Sequence, residues 1–511
     1  MREIEYMKFS DREFKSASES VKEKIARGRE IQAEWAGLPV GERVRHIQRI
    51  QRFIAENSAT IAETISLENG KVPVDSLATE VLPAALEVHY YSRMAKRFLK
   101  PRKIKSSSLL VAHKRSRIYR KPFGVIGIIS PWNYPFGIPF PEIIMALLAG
   151  NAVILKTAGN MPKVTQVLLD CIGRAELPEG LFQSINLPGR IAGDGLLEGG
   201  IDKLFFTGSV ESGKYLMKKA SETLTPLVLE LGGNDAMIVC KDADLDRAAA
   251  GAVWGGFSST GQSCGGVERL YVAEEIFEEF LNMLKTRVTA INTQTDNPYA
   301  CELGSMTTAK QREHVRRHVE DALQKGAVIA ARSNIPDDPT KFYYPATILI
   351  NVNHEMDLMK EETFGPVIGV MPFKTEDEAI RLANDSHLGL TGSVWSKNRR
   401  KAIRIGRQIN AGAITINDHL MSHGLPETPW GGFKQSGIGR THGRLGFDEM
   451  TQPQVVVDDI LSFTKNNLWW APYNRQQFES LQGLINTFKG SGFKKRVYGF
   501  RAFLKIIGRM F

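Results

Sequence analysis

The sequence has 511 residues, 42% of them hydrophobic and 24% charged, a composition typical of a globular protein with room for two or three domains. A signal peptide, a membrane-spanning helix and a zinc site are not expected. The N-terminus mixes charges early, no run reaches about eighteen apolar residues, and the four cysteines lack the spacing of metal ligands or of a disulfide framework, which favours a reduced, cytoplasmic compartment. The net charge of +10 is concentrated in residues 461–511, where nine basic residues accompany one acid, Glu479.

Apolar periodicity predicts two amphipathic helices, over residues 16–35 and 41–67, followed by a basic segment, 101–120, that contains a β-like run at 118–120. From residue 123 onward, buried strands alternate with helices. The predicted strands cover residues 123–130, 151–156, 183–187 and 203–206, and the predicted helices cover 138–149, 162–175 and 211–221. This alternation indicates a doubly wound parallel sheet.

A second α/β block is predicted after residue 233. Its strands are expected at 236–240, 270–272, 367–372, 393–395 and 413–416, and its helices at 245–256, 274–290 and 308–325. No internal repeat and no low-complexity segment interrupts the two blocks. We therefore predict two α/β domains and a separate C-terminal module of about fifty residues.

Three side chains carry the chemistry of an attack on a carbonyl group. Cys264, in the run Gly-Gln-Ser-Cys, offers a thiol nucleophile, and its small neighbours leave room for a substrate. Glu230, in Leu-Glu-Leu-Gly-Gly, offers a carboxylate base, and Asn133, between Pro131 and Pro135, offers an amide donor for an oxyanion. A buried cysteine taken alone is more often a packing residue, so the prediction of a catalytic site depends on all three side chains occurring together.

The common dinucleotide fingerprint of three spaced glycines is absent. In its place, Phe206-Thr207-Gly208-Ser209 stands where a strand meets a helix, and a helix N-terminus there offers free N–H groups to a phosphate. Lys156 ends a predicted strand, from which it can reach a ribose or a phosphate. Taken alone, the tetrapeptide is more often an ordinary turn and N-cap, and the alternative for Lys156 is a solvated strand end.

Two further motifs complete the set, Glu361-Glu362-Thr363-Phe364-Gly365-Pro366 and the glycine-rich segment 429–440. In this order the motifs resemble the NAD(P)-dependent aldehyde dehydrogenase superfamily over residues 43–458. The resemblance implies that Cys264 is the nucleophile, Glu230 the base and Asn133 part of the oxyanion hole. It also implies cofactor contacts, and the residues concerned are Trp132, Lys156, Phe206, Gly208, Ser209, Glu362 and Phe364.

The sequence departs from the family pattern at two positions. The family usually continues Lys-Pro-Ser-Glu where this chain has Lys156-Thr157-Ala158-Gly159, so the choice between NAD and NADP stays open. The family form Pro-Phe-Gly-Gly is here Pro-Trp-Gly-Gly, with the bulkier Trp430. The loop 417–428 has no arginine to pair with a carboxylate on the substrate, which favours an apolar or neutral aldehyde.

The resemblance implies a domain plan: an NAD(P)-binding domain (1–101 and 121–232), a catalytic domain (233–445) and β elements for oligomerisation (102–120 and 446–460). We expect a homodimer or homotetramer that oxidises an aldehyde to the acid. A coenzyme A-acylating enzyme of the same fold is disfavoured by Glu230, which acyl transfer to a thiol does not need. A catalytically inactive, membrane-associated scaffold is disfavoured because it has no reason to hold all three chemical groups.

The C-terminal extension, 461–511, has an amphipathic pattern. On a helical wheel from Phe493, Val497, Phe500, Leu504, Ile507 and Phe511 fall within about 40° of Phe493, and most basic residues lie to one side. This pattern predicts that residues 490–511 bind an anionic membrane surface, so that the enzyme would be peripheral on the inner face of a membrane. Packing on the enzyme body is an equally weighted alternative, whereas nucleic-acid binding lacks a motif and is not expected.

Overall fold

The computed structural model describes residues 11–108, 111–293, 297, 299–467, 469–489 and 492–507. It divides into two compact units. The first comprises the described parts of Met1–Leu99 and Lys121–Gln452, and the second those of Lys100–Arg120 and Pro453–Phe511.

The first unit contains most of the helices. In chain order they are α1 (Asp11–Gly37), α2 (Val40–Asn69), α3 (Pro73–Ser76), α4 (Leu82–Leu99), α5 (Pro139–Ala149), α6 (Pro162–Gly173), α7 (Gly189–Gly199), α8 (Val210–Ala220), α9 (Leu245–Phe257), α10 (Phe277–Thr289), α11 (Ala309–Gln324), α12 (Asp357–Lys360), α13 (Glu376–Asn384), α14 (Arg399–Gly406) and α15 (Gly443–Glu449). A π-helical turn, Leu77–Val81, joins α3 to α4. The second unit adds α16 (Arg475–Lys489) and α17 (Phe493–Ile507).

The strands form three sheets. In chain order they are β1 (Arg102–Ile104), β2 (Lys114–Pro122), β3 (Val125–Ile129), β4 (Ala152–Lys156), β5 (Phe182–Ile185), β6 (Lys203–Thr207), β7 (Leu227–Glu230), β8 (Asp235–Val239), β9 (Val267–Ala273), β10 (Val328–Arg332), β11 (Thr347–Ile350), β12 (Val367–Phe373), β13 (Thr391–Trp395), β14 (Ala413–Ile416), β15 (Gly437–Ile438) and β16 (Thr451–Asp459).

The first sheet has six strands in the order β15-β7-β6-β3-β4-β5, parallel except for β15. Its central strands are continuous apolar runs, because helices cover both faces of a doubly wound sheet. Ile129 pairs with Lys156, and Thr207 pairs with Glu230, so the strands end at one common edge. Ligands of open parallel sheets bind at this carboxyl edge.

The second sheet has seven strands in the order β10-β11-β12-β9-β8-β13-β14, parallel except for β10. Separate apolar clusters pack on its two faces. The predicted class, two α/β blocks with parallel sheets, is confirmed.

The second unit holds most of a three-stranded sheet, in the order β1-β2-β16, together with α16 and α17. The β-like run at 118–120 falls within β2, and β16 lies within the predicted β element 446–460. The predicted helix of the extension coincides with α17, although Phe511 and Arg509 lie outside the described residues. Within the described residues, no helix is long and apolar enough to cross a membrane.

Candidate active site

A cavity of about 370 Å³ opens beyond the carboxyl edge of the six-stranded sheet. It collects most of the residues that the sequence singled out, namely Trp132, Asn133, Gly208, Ser209, Glu230, Cys264, Glu362 and Phe364. Lys156 and Phe206 do not line it. The three catalytic candidates therefore face one space, although 131 residues of sequence separate Asn133 from Cys264.

Cys264 follows a tight turn, Ser258–Gly261, that connects α9 to β9. Ser259 and Thr260 adopt left-handed backbone conformations, with φ of 52° and 56°, which are costly for residues with a β-carbon. The buried carboxylate of Asp75 holds this turn, since it accepts a hydrogen bond from the Ser259 N–H at 2.7 Å and one from the Ser258 hydroxyl at 3.2 Å. Cys264, the predicted nucleophile, thus follows a turn that is held by a residue from a different segment of the chain.

Burial raises the pKa of the Cys264 thiol, and the carboxyl groups of Glu362, Asp235 and Glu230 raise it further. The thiol is therefore protonated at neutral pH in this environment. Attack on a carbonyl carbon requires a group that accepts the proton.

Asn133 is buried, and its side-chain amide donates a hydrogen bond to the Gln262 carbonyl oxygen at 3.1 Å. Its own main-chain carbonyl oxygen accepts a hydrogen bond from the Lys71 ammonium at 2.7 Å. Lys71 in turn pairs with Glu80 at 2.8 Å, and both side chains are fully buried. This ion pair holds Asn133 beside the segment that carries Cys264.

Glu230 ends β7 with its carboxylate buried, and neither of its oxygens has a hydrogen-bond partner among the described residues. Burial raises its pKa well above the ordinary value, and the nearby Glu142 raises it further. A cavity of about 20 Å³ lies between Glu230, Glu142, Cys264 and His442. That volume accommodates one water molecule in contact with the carboxylate.

Glu362 and Phe364 also line the 370 Å³ cavity and are held in place by buried contacts. Glu362 accepts a hydrogen bond from the Gly233 N–H at 3.0 Å, and a β-carbon on Gly233 would lie 2.1 Å from the Cys264 carbonyl oxygen, so only glycine fits there. The Phe364 N–H donates to the buried carboxylate of Glu268 at 2.7 Å. The Phe364 ring packs edge-on against Trp132, with ring centroids 5.6 Å apart.

The remaining predicted cofactor residues lie around the strand ends. Ser209 is the N-cap of α8, where its hydroxyl oxygen accepts a hydrogen bond from the Ser212 N–H at 3.3 Å. Phe206 is buried directly beneath Gly208, at which a β-carbon would come within 2.6 Å of the Phe206 ring. Lys156 ends β4, and its ammonium group lies beside Gly189 at the start of α7.

A second cavity, of about 110 Å³, reaches Cys264 and is bordered by the N-terminal end of α4. Its lining is mostly apolar and aromatic, and no Lys, Arg, Asp or Glu of the described chain belongs to it. Burial lowers the pKa of His423 in this lining to about 3, so its imidazole is neutral at physiological pH. Cys264 thus belongs to two cavities, one with charged side chains in its lining and one without.

A sequence model described as the aldehyde dehydrogenase family matches residues 12–456. The chain belongs to this family.

Relatives of similar sequence are named as enzymes that act on aldehydes. The chain is 38% identical to 4,4'-diapolycopene aldehyde oxidase of Methylomonas sp., over 92% of this chain and 87% of the relative. It is 35% identical to a putative succinate-semialdehyde dehydrogenase [NADP(+)] of Mycolicibacterium smegmatis, over 86% and 84%. Among solved structures, betaine aldehyde dehydrogenase of Staphylococcus aureus in complex with NAD+ superposes with a TM-score of 0.82 at 30% identity, covering 89% of this chain and 92% of that one.

The predicted family, the assignment as an enzyme and the NAD(P)-dependent oxidation of an aldehyde are confirmed. NAD or NADP is the cofactor, and the 370 Å³ cavity has groups that suit it. The N-terminus of α8 offers N–H groups for a diphosphate, Glu362 offers a carboxylate for ribose hydroxyls, and Trp132 and Phe364 offer rings beside Cys264.

The sequence alone did not indicate several residues that hold the site of this aldehyde dehydrogenase in place. They are Lys71, Asp75, Glu80, Glu142, Glu268 and Gln311. Three of them could have been recognised from the sequence, because a lysine and two acids within ten residues, 71–80, are unusual beside an otherwise apolar helical pattern. The others become recognisable only when the fold brings distant segments together.

Proposed function

We propose that this aldehyde dehydrogenase oxidises a long, apolar aldehyde to the carboxylic acid. The observation that carries the proposal is the apolar cavity of about 110 Å³ next to Cys264, whose lining, within the described residues, has no Lys, Arg, Asp or Glu side chain. Its walls include Leu82, Leu86, Trp254, Met421 and Trp430. A hydrocarbon chain is stabilised in such a cavity by roughly 0.8 kcal/mol per buried methylene group.

The names of the relatives point to two substrate classes. The Methylomonas relative is named for an aldehyde of diapolycopene, a hydrocarbon, and the mycobacterial relatives are named for succinate semialdehyde, which bears a carboxylate. A carboxylate buried without a cation is strongly disfavoured. The uncharged lining therefore favours the apolar class for this chain.

In the proposed reaction, the Cys264 sulfur bonds to the aldehyde carbon, the S–H bond breaks, and its proton passes through water to the carbonyl oxygen, which gives a hemithioacetal. The Asn133 side-chain amide and the Cys264 N–H donate hydrogen bonds to its oxygen, as an oxyanion hole does. NAD+ or NADP+ supplies the hydride acceptor when bound in the larger cavity. With loss of the hydride to that acceptor and of the hydroxyl proton to water, the hemithioacetal becomes a thioester on Cys264.

Glu230 then accepts a proton from a water molecule, whose oxygen attacks the thioester carbon. The carbon–sulfur bond breaks, the carboxylic acid leaves, and the thiol is regenerated. The raised pKa of the buried carboxyl group suits this role, because a stronger base removes a proton from water more readily. Coenzyme A is not needed as an acceptor, which disfavours the acylating alternative.

For the cofactor, we assign the nicotinamide ribose to Glu362 and the ring to Phe364 and Trp132. The diphosphate is assigned to Gly208 and Ser209 at the start of α8, and the adenine ribose to Lys156. Phe206 supports Gly208 from below.

Steady-state kinetics over an alkanal series tests the substrate assignment. We expect kcat/KM to rise about fourfold with each added methylene group until the cavity is filled, as roughly 0.8 kcal/mol per buried methylene group requires. Succinate semialdehyde should be a poor substrate. A kcat/KM for succinate semialdehyde above that of an alkanal of equal length would overturn the assignment.

We further propose that residues 490–511 bind an anionic membrane surface, and that the enzyme is cytoplasmic and peripheral on the inner face of a membrane. On α17, Phe493 is 82% exposed, and Phe500 and Leu504 are about half exposed. Lys494 and Arg501 are also exposed on this helix. Exposed apolar and basic side chains on one helix suit an anionic lipid interface.

Co-sedimentation with phosphatidylglycerol vesicles tests the role of the extension. The full chain should bind more strongly than a chain that ends before Gly490, and salt should weaken the difference. Equal binding by the two chains would refute it.

A further inference from the structure

The helix α4, which borders the apolar cavity, has an unusual exposed face. Leu82, Leu86, His89, Arg93 and Lys96 are all exposed, and at about 100° per residue they lie within roughly 40° of Leu82. Arg97 lies about 60° from the same line and is exposed too. We call these six residues the α4 face.

The apolar end of the α4 face is the rim of the cavity. Leu82 and Leu86 line the cavity and are nevertheless 54% and 46% exposed. Met421 also lines the cavity and is 45% exposed. Leu77 and Leu425, close in sequence to these rim residues, are 42% and 37% exposed. Large apolar side chains that line the cavity and are also exposed to solvent show where the cavity opens, and they surround this opening with an apolar surface.

The other end of the α4 face is basic. The only acid in α4 is Glu87, which is buried and lies 3.4 Å from the His442 ring. Burial raises the pKa of Tyr90, which lies beside the face, and the carboxylate of the exposed Glu427 raises it further. Lys96 and Arg97 stabilise the C-terminus of the helix electrostatically, but this does not account for Arg93, His89 or the exposed leucines.

We propose that the α4 face docks on an anionic lipid bilayer, with the leucines in the hydrocarbon boundary and the basic residues among the head groups. This inference rests on the proposed apolar substrate. A long aldehyde is dissolved in the bilayer rather than in water, so an opening held against the lipid lets it enter without crossing the aqueous phase. The arrangement of apolar and cationic residues matches that of helices that lie in lipid interfaces.

Site-specific fluorescence tests the docking directly. Leu82→Trp in the full chain should be quenched by brominated lipids in phosphatidylglycerol vesicles, above the background of the seven native tryptophans. The matched control is Leu323→Trp, at an exposed leucine near the end of α11, which should not be quenched. Adding Arg93→Glu, Lys96→Glu and Arg97→Glu to Leu82→Trp should remove the quenching, as should vesicles of pure phosphatidylcholine.

Two outcomes of the fluorescence experiment would overturn the proposal in different ways. The quenching of each variant is measured as the increase over the wild type. If that increase is no larger for Leu82→Trp than for Leu323→Trp, the α4 face does not dock on the bilayer. Quenching that survives the charge reversal, or that occurs equally on phosphatidylcholine, overturns the requirement for an anionic bilayer.

Kinetics then separates this inference from the substrate assignment. The triple charge reversal should lower the rate on a long alkanal held in vesicles at least about tenfold, because docking is lost. Its rate on propanal, and on the same alkanal in detergent, should stay unchanged, since none of the three basic residues lines either of the two cavities. Failure of the wild type to oxidise the long alkanal in detergent would refute the substrate assignment alone.

Discussion

Cys264 lies among three carboxyl groups, those of Glu362, Asp235 and Glu230, which together with burial raise the pKa of its thiol. The proposed nucleophile thus depends on proton transfer, and the proposed base acts after the thioester has formed. We expect Cys264→Ala to abolish oxidation. Glu230→Gln should leave a single burst of NADH or NADPH, one per active site, without turnover, and stopped-flow absorbance measures both. Steady-state turnover by the alanine variant would contradict the mechanism.

Glu142 is a buried acid beside the site, and its burial makes the free energy of unfolding depend on pH. Burial raises the pKa of its carboxyl group from 4.5 to about 8. Between these values the folded protein keeps a proton that the unfolded chain releases, so the stability contributed by Glu142 is full below about pH 4.5 and declines as the pH rises to about 8. The decline is at most about 1.4 kcal/mol per pH unit.

Glu142→Gln removes this titration. Relative to the wild type, the variant should therefore become progressively more stable between about pH 5 and about pH 8. Thermal unfolding at several pH values measures the difference. A constant difference between Glu142→Gln and the wild type would show that the carboxyl group does not titrate in this range.

At the scale of elements, the site depends on segments that fix one another. The Lys71–Glu80 pair joins the end of α2 to the turn that carries Asn133, and the Glu80 carboxylate also accepts hydrogen bonds from the Phe136 and Gly137 N–H groups at 2.9 Å. Lys71→Met leaves a buried carboxylate without its cation, which costs about 3–5 kcal/mol. Combining it with Glu80→Gln should restore part of the stability, because the charge is gone. Calorimetry compares the variants, and a double variant less stable than Lys71→Met would contradict this reasoning.

The sequence predicted the elements that carry their own pattern. The apolar runs around β3 and β4 and the helix after Ser209 are examples, each correct to within a few residues. The helices α7 and α14 were not predicted. Glycines interrupt the apolar periodicity of α7, and basic residues interrupt that of α14. Cys264, Glu230 and Asn133 were found because each belongs to a local motif. Asp75 and Glu268 were not, because their partners lie about 95 residues or more away.

The turn after β4 offers a test of cofactor choice. A β-carbon on Gly159 would have no neighbour within 4 Å, so a side chain fits there. Gly159→Glu places a carboxylate near the proposed position of the adenine ribose. We expect kcat/KM for NADP+ to fall at least about tenfold, through repulsion of the 2′-phosphate, while that for NAD+ is retained. Gly159→Gln, which adds bulk without charge, is the matched control, and an equal loss with both variants would attribute the effect to size.

At the scale of the whole molecule, two cavities with different linings meet at Cys264. The one of about 370 Å³ has charged side chains and lies at the edge of the six-stranded sheet, and the uncharged one, of about 110 Å³, is bordered by α4 and the segment 420–424. Cofactor and aldehyde can then approach the same sulfur atom from different sides. Such separation allows each binding site to be altered without the other.

The second unit bears on assembly, because β16 is an edge strand of its three-stranded sheet. Val455, Val456 and Val457 on this strand are 58%, 44% and 55% exposed. An apolar edge strand pairs readily with another chain, and symmetric pairing of identical strands produces a dimer. We propose that β16 and the β1–β2 hairpin form the interface of a homodimer or homotetramer.

Light scattering of the wild type at micromolar concentration should therefore give the mass of a dimer or a tetramer. Val455→Lys together with Val457→Lys places two charges on one face of β16 and should shift the mass toward the monomer, since lysine on an edge strand opposes pairing. Val328→Lys is the matched control, because Val328 is 47% exposed on β10, an edge strand of the seven-stranded sheet, and should leave the mass unchanged. A monomeric wild type would refute the assembly, and a double variant with the wild-type mass would place the interface elsewhere than β16.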